Sequence, residues 1–389
     1  MSAGTQLENT TPDNTDKAVF QALLSATANW RSLELHQLQA VEWQKFIYSA
    51  ACHGVLPVVA QRVLESQVAV PEDVREQLRS AVQQSMLRSF PLIQEVLSIT
   101  RAFLSAGLAI IPYKGPALAE ELWGSFSLRN CADLDFLVTA RDVHRASELL
   151  EQLGYERLAL IPANLRPAII RNASEEQYRH RESGLLLELQ WSPAPRVFGL
   201  SFDADSIWQR TRSIDFAGER VLSPFLEDLL MLLCVHGWKH NWSRLLWVGD
   251  VAQLVRRFHI DWESLFESSR KQGLLGILTL GLQMANVLFG VPLPPVCLVI
   301  DAAIQRLADK LIQRMQANEP CSYLEWHRFM LVARDSSADR VKQVSRFIFT
   351  PGLGEYAACS LPKWASSGYR AVRIARVIGL MNGKAKEQC

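Results

Sequence analysis

From Val19 to about Gln94 apolar residues recur at three- and four-residue spacing, as in Phe20, Leu23 and Leu24, or Trp43, Phe46 and Ile47, or Val58, Val59, Val63 and Leu64. This is the period of helices that bury one face, and breaks at His53-Gly54 and Pro71 divide the stretch into three or four of them. Ser89 to Leu104 continues the pattern in another helix, which Gly107 ends as a C-cap. The period then changes. Leu108 to Tyr113 is a short apolar run closed by Lys114-Gly115, the signature of a buried strand. Ala117 to Trp123 reads as a short helix ended by Gly124, and Leu134 to Val138 as a second strand. Thr139 follows as the N-cap of a helix that runs to Leu153 and stops at Gly154. Extended stretches at Tyr155 to Leu160 and Gly184 to Trp191 complete a small sheet.

Beyond the sheet the pattern is helical again. Ser223-Pro224 is a helix start, with Glu227 and Asp228 in the positive first turn. Helices are expected over Leu226–Lys239, Arg244–Phe258, Trp262–Gln272, Leu274–Leu288 and Val299–Gln316, punctuated by Pro292, Pro294 and Pro295. The expected organisation is a polar tail at 1–16, a helical domain at 17–95, an α+β core at 96–222 and a second helical domain at 223–389. No repeat of fixed period is present.

With 389 residues, 49% of them hydrophobic and 21% charged, the chain has length for two or three cores. Its 41 Lys and Arg against 40 Asp and Glu give no global field to gather nucleic acid or an anionic membrane, so neither is favoured as a partner. Seven cysteines, at 52, 131, 234, 297, 321, 359 and 389, are scattered singly, which suits reduced thiols. The polar N-terminus lacks the features of a signal peptide, and a cytoplasmic location is expected. The most apolar stretch, Phe225 to Val235, is interrupted by Glu227 and Asp228 and falls short of the ~20 residues a bilayer requires.

The chemistry concentrates around Asp133-Leu-Asp135. Positions two apart on a strand share a face, so two carboxylates stand side by side on an otherwise apolar element. Such a pair repels unless a proton or a cation neutralises it, and Mg²⁺ (or Mn²⁺) is the natural guest for hard oxygen ligands. Alone, such a pair is more often a solvated edge. Glu188 is the single charge in Leu185 to Trp191, shares a face with Gln190, and fits the place of a third carboxylate. Lys114 and Gly115 offer a phosphate contact and a close backbone approach, and the planar fork of Arg129 can steady the same phosphates.

The segments Lys114-Gly115-Pro-Ala-Leu118, Leu128-Arg129, Asp133-Leu-Asp-Phe-Leu-Val138 and Glu188-Leu-Gln-Trp191 resemble a bacterial family of uncharacterised nucleotidyltransferases often found with biosynthetic clusters. That family lies within the superfamily that includes DNA polymerase beta and the small antibiotic nucleotidyltransferases. The resemblance continues through Glu227-Asp-Leu-Leu230, Cys234-Val-His236, Lys239-His240, Leu246-Trp247 and Asp250, and more weakly around Trp43 and from Phe349 to Arg376. It implies an α+β fold, a small mixed sheet flanked by helical domains at both ends. It implies Asp133, Asp135 and Glu188 as catalytic residues and metal ligands, and Lys114, Gly115, Ser125 and Arg129 as the nucleotide site. Gln190, His236, Lys239, His240 and Asp250 are then contacts to phosphate or acceptor. The implied reaction moves a nucleoside monophosphate, for example from ATP, to a small-molecule, peptide or protein acceptor and releases pyrophosphate. Two positions depart from the pattern: Gln190 stands where the family usually has His, and Pro116 where the superfamily commonly has Ser or Gly. Pro116 removes one backbone donor to phosphate.

Other readings compete. A catalytically weak nucleotide-binding accessory protein keeps the fold without the reaction, and a kinase moves the γ-phosphoryl group alone. The latter is disfavoured by the absence of a Walker loop and of a His-Arg-Asp loop. His236 and His240, four apart on a helix, have the spacing of a zinc pair but lack a third ligand. Trp191, Trp242 and Trp247 are candidates for base stacking, yet with eleven tryptophans in the chain most are expected in the core. The arginines from Arg370 to Arg376 read as a solvated face, and Cys131 as an inert buried thiol.

Overall fold

The computed structural model describes residues 14–27, 42–159, 162–294, 301–358, 361–362 and 365–381. Most of the expected tail, Pro294-Pro295 beyond its first member, the start of the helix expected from Val299, and Cys297, Cys359 and Cys389 lie outside the described residues. Four helices come first: α1 (Asn14–Thr27), α2 (Trp43–Cys52), α3 (Leu56–Glu65) and α4 (Glu72–Ser105). Residues 14–16 therefore begin a helix rather than end a tail. The 34-residue α4 runs straight through Pro91, so the helix expected separately from Ser89 and the boundary expected at residue 95 both fall inside one element. The helix tolerates the proline because the carbonyl it deprives of a partner belongs to Leu87, which is 61% exposed and can meet water. On either side, Leu78, Ser85, Leu92, Ile93 and Val96 bury the opposite face.

Next come β1 (Ile111–Pro112), α5 (Gly115–Leu118) continued by a π turn at Ala119–Trp123, β2 (Asp133–Leu137), α6 (Val143–Gln152), β3 (Tyr155–Arg157), α7 (Arg166–Asn172), β4 (Glu175–His180) and β5 (Leu186–Gln190). The sheet order is β1-β2-β5-β4-β3, with β2 and β5 parallel and every other pair antiparallel. The strand expected over Leu108–Tyr113 pairs at two residues only, consistent with a proline confined to an edge. Thr139 does not cap α6. Its hydroxyl donates to Asp142 Oδ2 at 2.6 Å, and the helix begins after Asp142.

The chain then forms α8 (Ala204–Gln209) and a hairpin of β6 (Arg212–Phe216) and β7 (Glu219–Ser223). Its two-residue turn, Ala217-Gly218, has φ of 50° and 83°, the backbone that matches strand twist. Helices α9 (Leu226–Lys239), α10 (Leu245–Arg257), α11 (Trp262–Lys271), α12 (Leu275–Phe289), α13 (Ala302–Ala317), α14 (Tyr323–Val332), α15 (Ser337–Phe349), α16 (Leu353–Ala358) and α17 (Gly368–Met381) follow. None of the described helices is long and apolar enough to cross a membrane.

The fold is α+β, with helices on both sides of the sheet in sequence. Two large cores hold it. Phe20, Phe46 and Leu78 from the first helices share one core with Leu230, Leu246, Leu278 and Leu311, so the helical regions at the two ends of the chain pack as one body. Leu134, Phe136, Leu187 and Leu189 line the second core beneath the sheet, closed by Val96 and Phe103 of α4 and Val143 of α6. The length of α4 thus bridges both cores. The arginine run in α17 is not a wholly solvated face: Arg373 is buried, stacks on Phe347 at 4.7 Å and pairs with Glu355 at 3.3 Å.

Candidate active site on the sheet

Strand register assembles the site. In the parallel pair, Asp135 lies opposite Glu188 and Asp133 opposite Leu186. In the next pair, Gln177 lies opposite Glu188 and Glu175 opposite Gln190. Since the other faces of β2 and β5 carry Leu134, Phe136, Leu187 and Leu189 into the core, Asp133, Asp135, Glu175, Gln177, Glu188 and Gln190 all occupy the opposite face.

Hydrogen bonds fix most of these groups. Lys114, at the turn from β1 into α5, sets its Nζ 2.5 Å from Asp135 Oδ1, and both side chains are almost fully buried. Gln190 Nε2 donates to Asp135 Oδ1 at 3.0 Å and to Glu188 Oε2 at 2.9 Å, while the Tyr113 hydroxyl donates to Gln190 Oε1. Gln177 Nε2 donates to the remaining Glu188 oxygen at 3.0 Å. Gly115 has φ of +60°, and a Cβ there would stand 3.3 Å from the carbonyl oxygen of Asp133, so this turn requires glycine to bring Lys114 against β2.

The crowding shows in the acid strengths. Burial and then the charges of Glu175 and Asp135 push the Glu188 carboxyl up to about 7. Burial and then Asp135 raise Asp133 above the usual carboxylate range. Burial works against the ammonium of Lys114, but Asp135 and Tyr113 outweigh it and hold the group charged.

Arg129 and Asp250, expected to meet phosphate and substrate separately, meet each other. Arg129 Nε and Nη2 donate to Asp250 at 3.1 and 2.9 Å in a buried bidentate pair, and Trp123 Nε1 adds a bond to Asp250 Oδ1 at 2.9 Å. The pair ties the loop before β2 to α10. Ser125 bonds the Ser127 hydroxyl at 3.0 Å within that same loop. Cys131 is a poor nucleophile, since burial pushes its thiol up to about 11 against the pull of Arg129.

α9 and α10 bring a second wall. Lys239 Nζ lies 3.7 Å from Glu175 Oε2. His236, His240 and Trp247 form a three-ring cluster with centroids 4.8 to 5.2 Å apart. Burial, then nearby Lys239 and Lys114, lower His240 to about 3, while burial and Lys114 lower His236 well below its ordinary value. Both imidazoles are therefore neutral at neutral pH. Trp242 is fully buried against Gly237 and Gly281, and Trp191 donates to the Ile170 carbonyl at 2.9 Å, so both belong to the core.

Among the described residues, no group of three or more His, Cys, Asp or Glu side chains is arranged to hold a metal ion. Lys114 and Gln190 share Asp135 Oδ1, and Gln190 and Gln177 hold the two oxygens of Glu188. Tyr113, Glu175 and Gln177 are site residues that sequence reasoning missed. Tyr113 ends an apolar run and carries the one signal that was available. Glu175 and Gln177 sit in Glu-Glu-Gln-Tyr-Arg-His, whose polarity hides a strand.

Over residues 39–290 the chain matches the family model described as an uncharacterised nucleotidyltransferase. No curated protein and no solved structure gives a significant match.

Proposed function

This chain belongs to the uncharacterised nucleotidyltransferases, and from that premise we propose that it uses a divalent cation to move a nucleoside monophosphate from an NTP to an acceptor, releasing pyrophosphate. Membership makes the chain a transferase with an NTP as substrate. The observation that carries the finer reading is the parallel register that sets Asp135 against Glu188, with Asp133 two residues away on the same face.

Three carboxylates on one face, two of them held above the ordinary carboxylate range by burial and by one another, form a donor set of the hard-oxygen kind that suits Mg²⁺ or Mn²⁺. Asp133, Asp135 and Glu188 would hold the ion, whose chemistry is to polarise the phosphoryl group and to neutralise charge developing on it. For that, the Lys114 ammonium leaves Asp135 and turns to the triphosphate. Glu188 accepts the proton of the attacking acceptor. Gln190 holds the two carboxylates in register through its single amide, itself oriented by Tyr113. The Arg129–Asp250 pair positions the loop that leads into β2 and does not itself touch substrate. Lys239 and the neutral His236 and His240 border the face on the α9 side and offer donors to acceptor or phosphate.

Incubation of the chain with each labelled NTP, Mg²⁺ and a cell extract tests this reading through release of pyrophosphate and label on an acceptor. Asp135→Asn is expected to abolish both. The seat of Lys114 on Asp135 favours one alternative, a protein that binds nucleotide without turning it over. Calorimetry that detects NTP binding without pyrophosphate release selects it.

A further inference from the structure

Glu227 and Asp228 occupy the first turn of α9, on the opposite end of that helix from Lys239, and only 4% and 9% of each residue is exposed. One oxygen of each carboxylate has a partner. Glu227 Oε1 accepts the backbone N–H of Asp261 at 2.7 Å, and Asp228 Oδ1 accepts Arg210 Nη2 at 2.6 Å. The other two oxygens, Glu227 Oε2 and Asp228 Oδ2, are buried with no hydrogen-bond partner in the protein. Both residues line a cavity whose other walls are Arg210, Ser264, Ser268 and Gln272 on the polar side and Phe202, Met231 and Leu265 on the apolar side. It leaves about 20 Å³ for the centres of water-sized guests, where one such guest needs roughly 10–15 Å³.

The charge around this cavity does not balance. Two adjacent carboxylates face one guanidinium, and the buried remainder is costly unless something neutralises it. Burial pushes the Asp228 carboxyl above its ordinary range even against Arg210, which is the mark of an undersolvated carboxylate. The missing partner carries at most a single positive charge, because two carboxylates less one guanidinium leave one negative charge, part of which the N-terminus of α9 offsets. It is no larger than a water molecule or two. It takes oxygen ligands, since carboxylate oxygens and the serines of α11 line the wall. A Mg²⁺ ion that keeps its octahedral water shell is too large for this space.

We propose that the cavity between α8, α9 and α11 binds a monovalent cation of the size of potassium or ammonium, held by Glu227 Oε2 and Asp228 Oδ2. Glu227 Oε1 and Asp228 Oδ1 already join the first turn of α9 to Asp261 and to Arg210, and the ion neutralises the charge that remains. It is independent of the reaction on the sheet, because none of its ligands belongs to the carboxylate face.

Thermal melting of the whole chain at constant ionic strength in potassium, ammonium or choline chloride tests the site, choline being too large to enter. The melting temperature is expected to rise by a few degrees, and to saturate, in potassium or ammonium relative to choline. The ion that saturates at the lower concentration is the preferred guest. Glu227→Gln keeps an amide oxygen for the Asp261 N–H and removes the charge, so it should erase the difference between salts. Should that variant fail to fold, crystals of the unaltered chain soaked in thallium(I) decide, through an anomalous peak between Glu227 and Asp228. Equal melting in all three salts, together with no thallium peak, means that ordered water alone fills the cavity and overturns the proposal.

Discussion

Asp135 and Glu188 stand opposite each other across the parallel pair of β2 and β5, and one side-chain amide, that of Gln190, donates to both at 3.0 and 2.9 Å. Two carboxylates this close repel, and the amide with the Lys114 ammonium offsets part of that repulsion. Removing the amide should therefore loosen the site before it loosens the fold. Gln190→Ala is expected to lower turnover by roughly tenfold or more, in the range that loss of an orienting partner produces, while circular dichroism stays unchanged. Unaltered turnover in this variant would show that the carboxylates are held by other means.

The acid strength of Glu188 carries a stability prediction. Its folded value of about 7 lies above its ordinary value, so the protonated form is the one that folding favours. The contribution is present below the ordinary carboxylate range and is lost as pH rises toward 7. The loss is at most on the order of 3 kcal/mol, at ~1.4 kcal/mol per unit, and the partial exposure of the group reduces it. Denaturant midpoints between pH 4.5 and 8 should fall in the parent and stay flatter in Glu188→Gln. Parallel curves for the two proteins would remove Glu188 as the cause.

Arg129 and Asp250 separate a structural role from a substrate-binding one. Asp250→Ala leaves a buried guanidinium and the Trp123 indole N–H without their shared acceptor. Breaking a buried pair in this way costs about 3–5 kcal/mol. The expected result is a large drop in melting temperature with the KM for NTP unchanged in the molecules that remain folded. A raised KM at unchanged melting temperature would instead return Arg129 to the phosphates.

The carboxylate strands were readable because each is an apolar run broken by a few charges: Asp133 and Asp135 in one, Glu188 in the other. Their mutual register was not readable. The neighbouring β4 was missed altogether, because its core-facing side carries Glu176 and His180 beside Tyr178 and so lacks the alternation that marks a half-buried strand. The Arg129–Asp250 pair spans 121 residues of sequence, and nothing local distinguishes a guanidinium awaiting phosphate from one committed to a distant carboxylate. Helix ends from α9 to α12 were accurate to within a few residues, since caps and periodicity are local signals. The continuity of α4 was missed, a separate helix being expected from Ser89; Pro91, a helix breaker by local rules, is overridden here by burial on the opposite face.

That override is measurable. Pro91→Ala supplies an N–H to the Leu87 carbonyl and removes the ring clash, at a site already helical and exposed. The gain is about 1–3 kcal/mol, partly offset by the greater freedom of the unfolded chain. The denaturant midpoint should rise with an unchanged slope. A fall would mean that Pro91 sets a bend that the packing of α4 on both cores requires.

Lys114 is the residue on which the metal-dependent reading turns, because its ammonium holds the oxygen of Asp135 that a cation would take. Lys114→Met leaves Asp135 buried beside Glu188 with no positive partner, and in the presence of a chelator it should destabilise the protein by about 3–5 kcal/mol. A divalent ion then meets the carboxylates without competition. Added Mg²⁺ should raise the melting temperature of this variant more than that of the parent, by mass action on the folded state. Turnover should nevertheless fall, since the same ammonium is assigned to the triphosphate. If Mg²⁺ and Mn²⁺ shift neither protein, the carboxylate face does not take a divalent ion, and the nucleotide-binding reading without turnover replaces the enzymatic one.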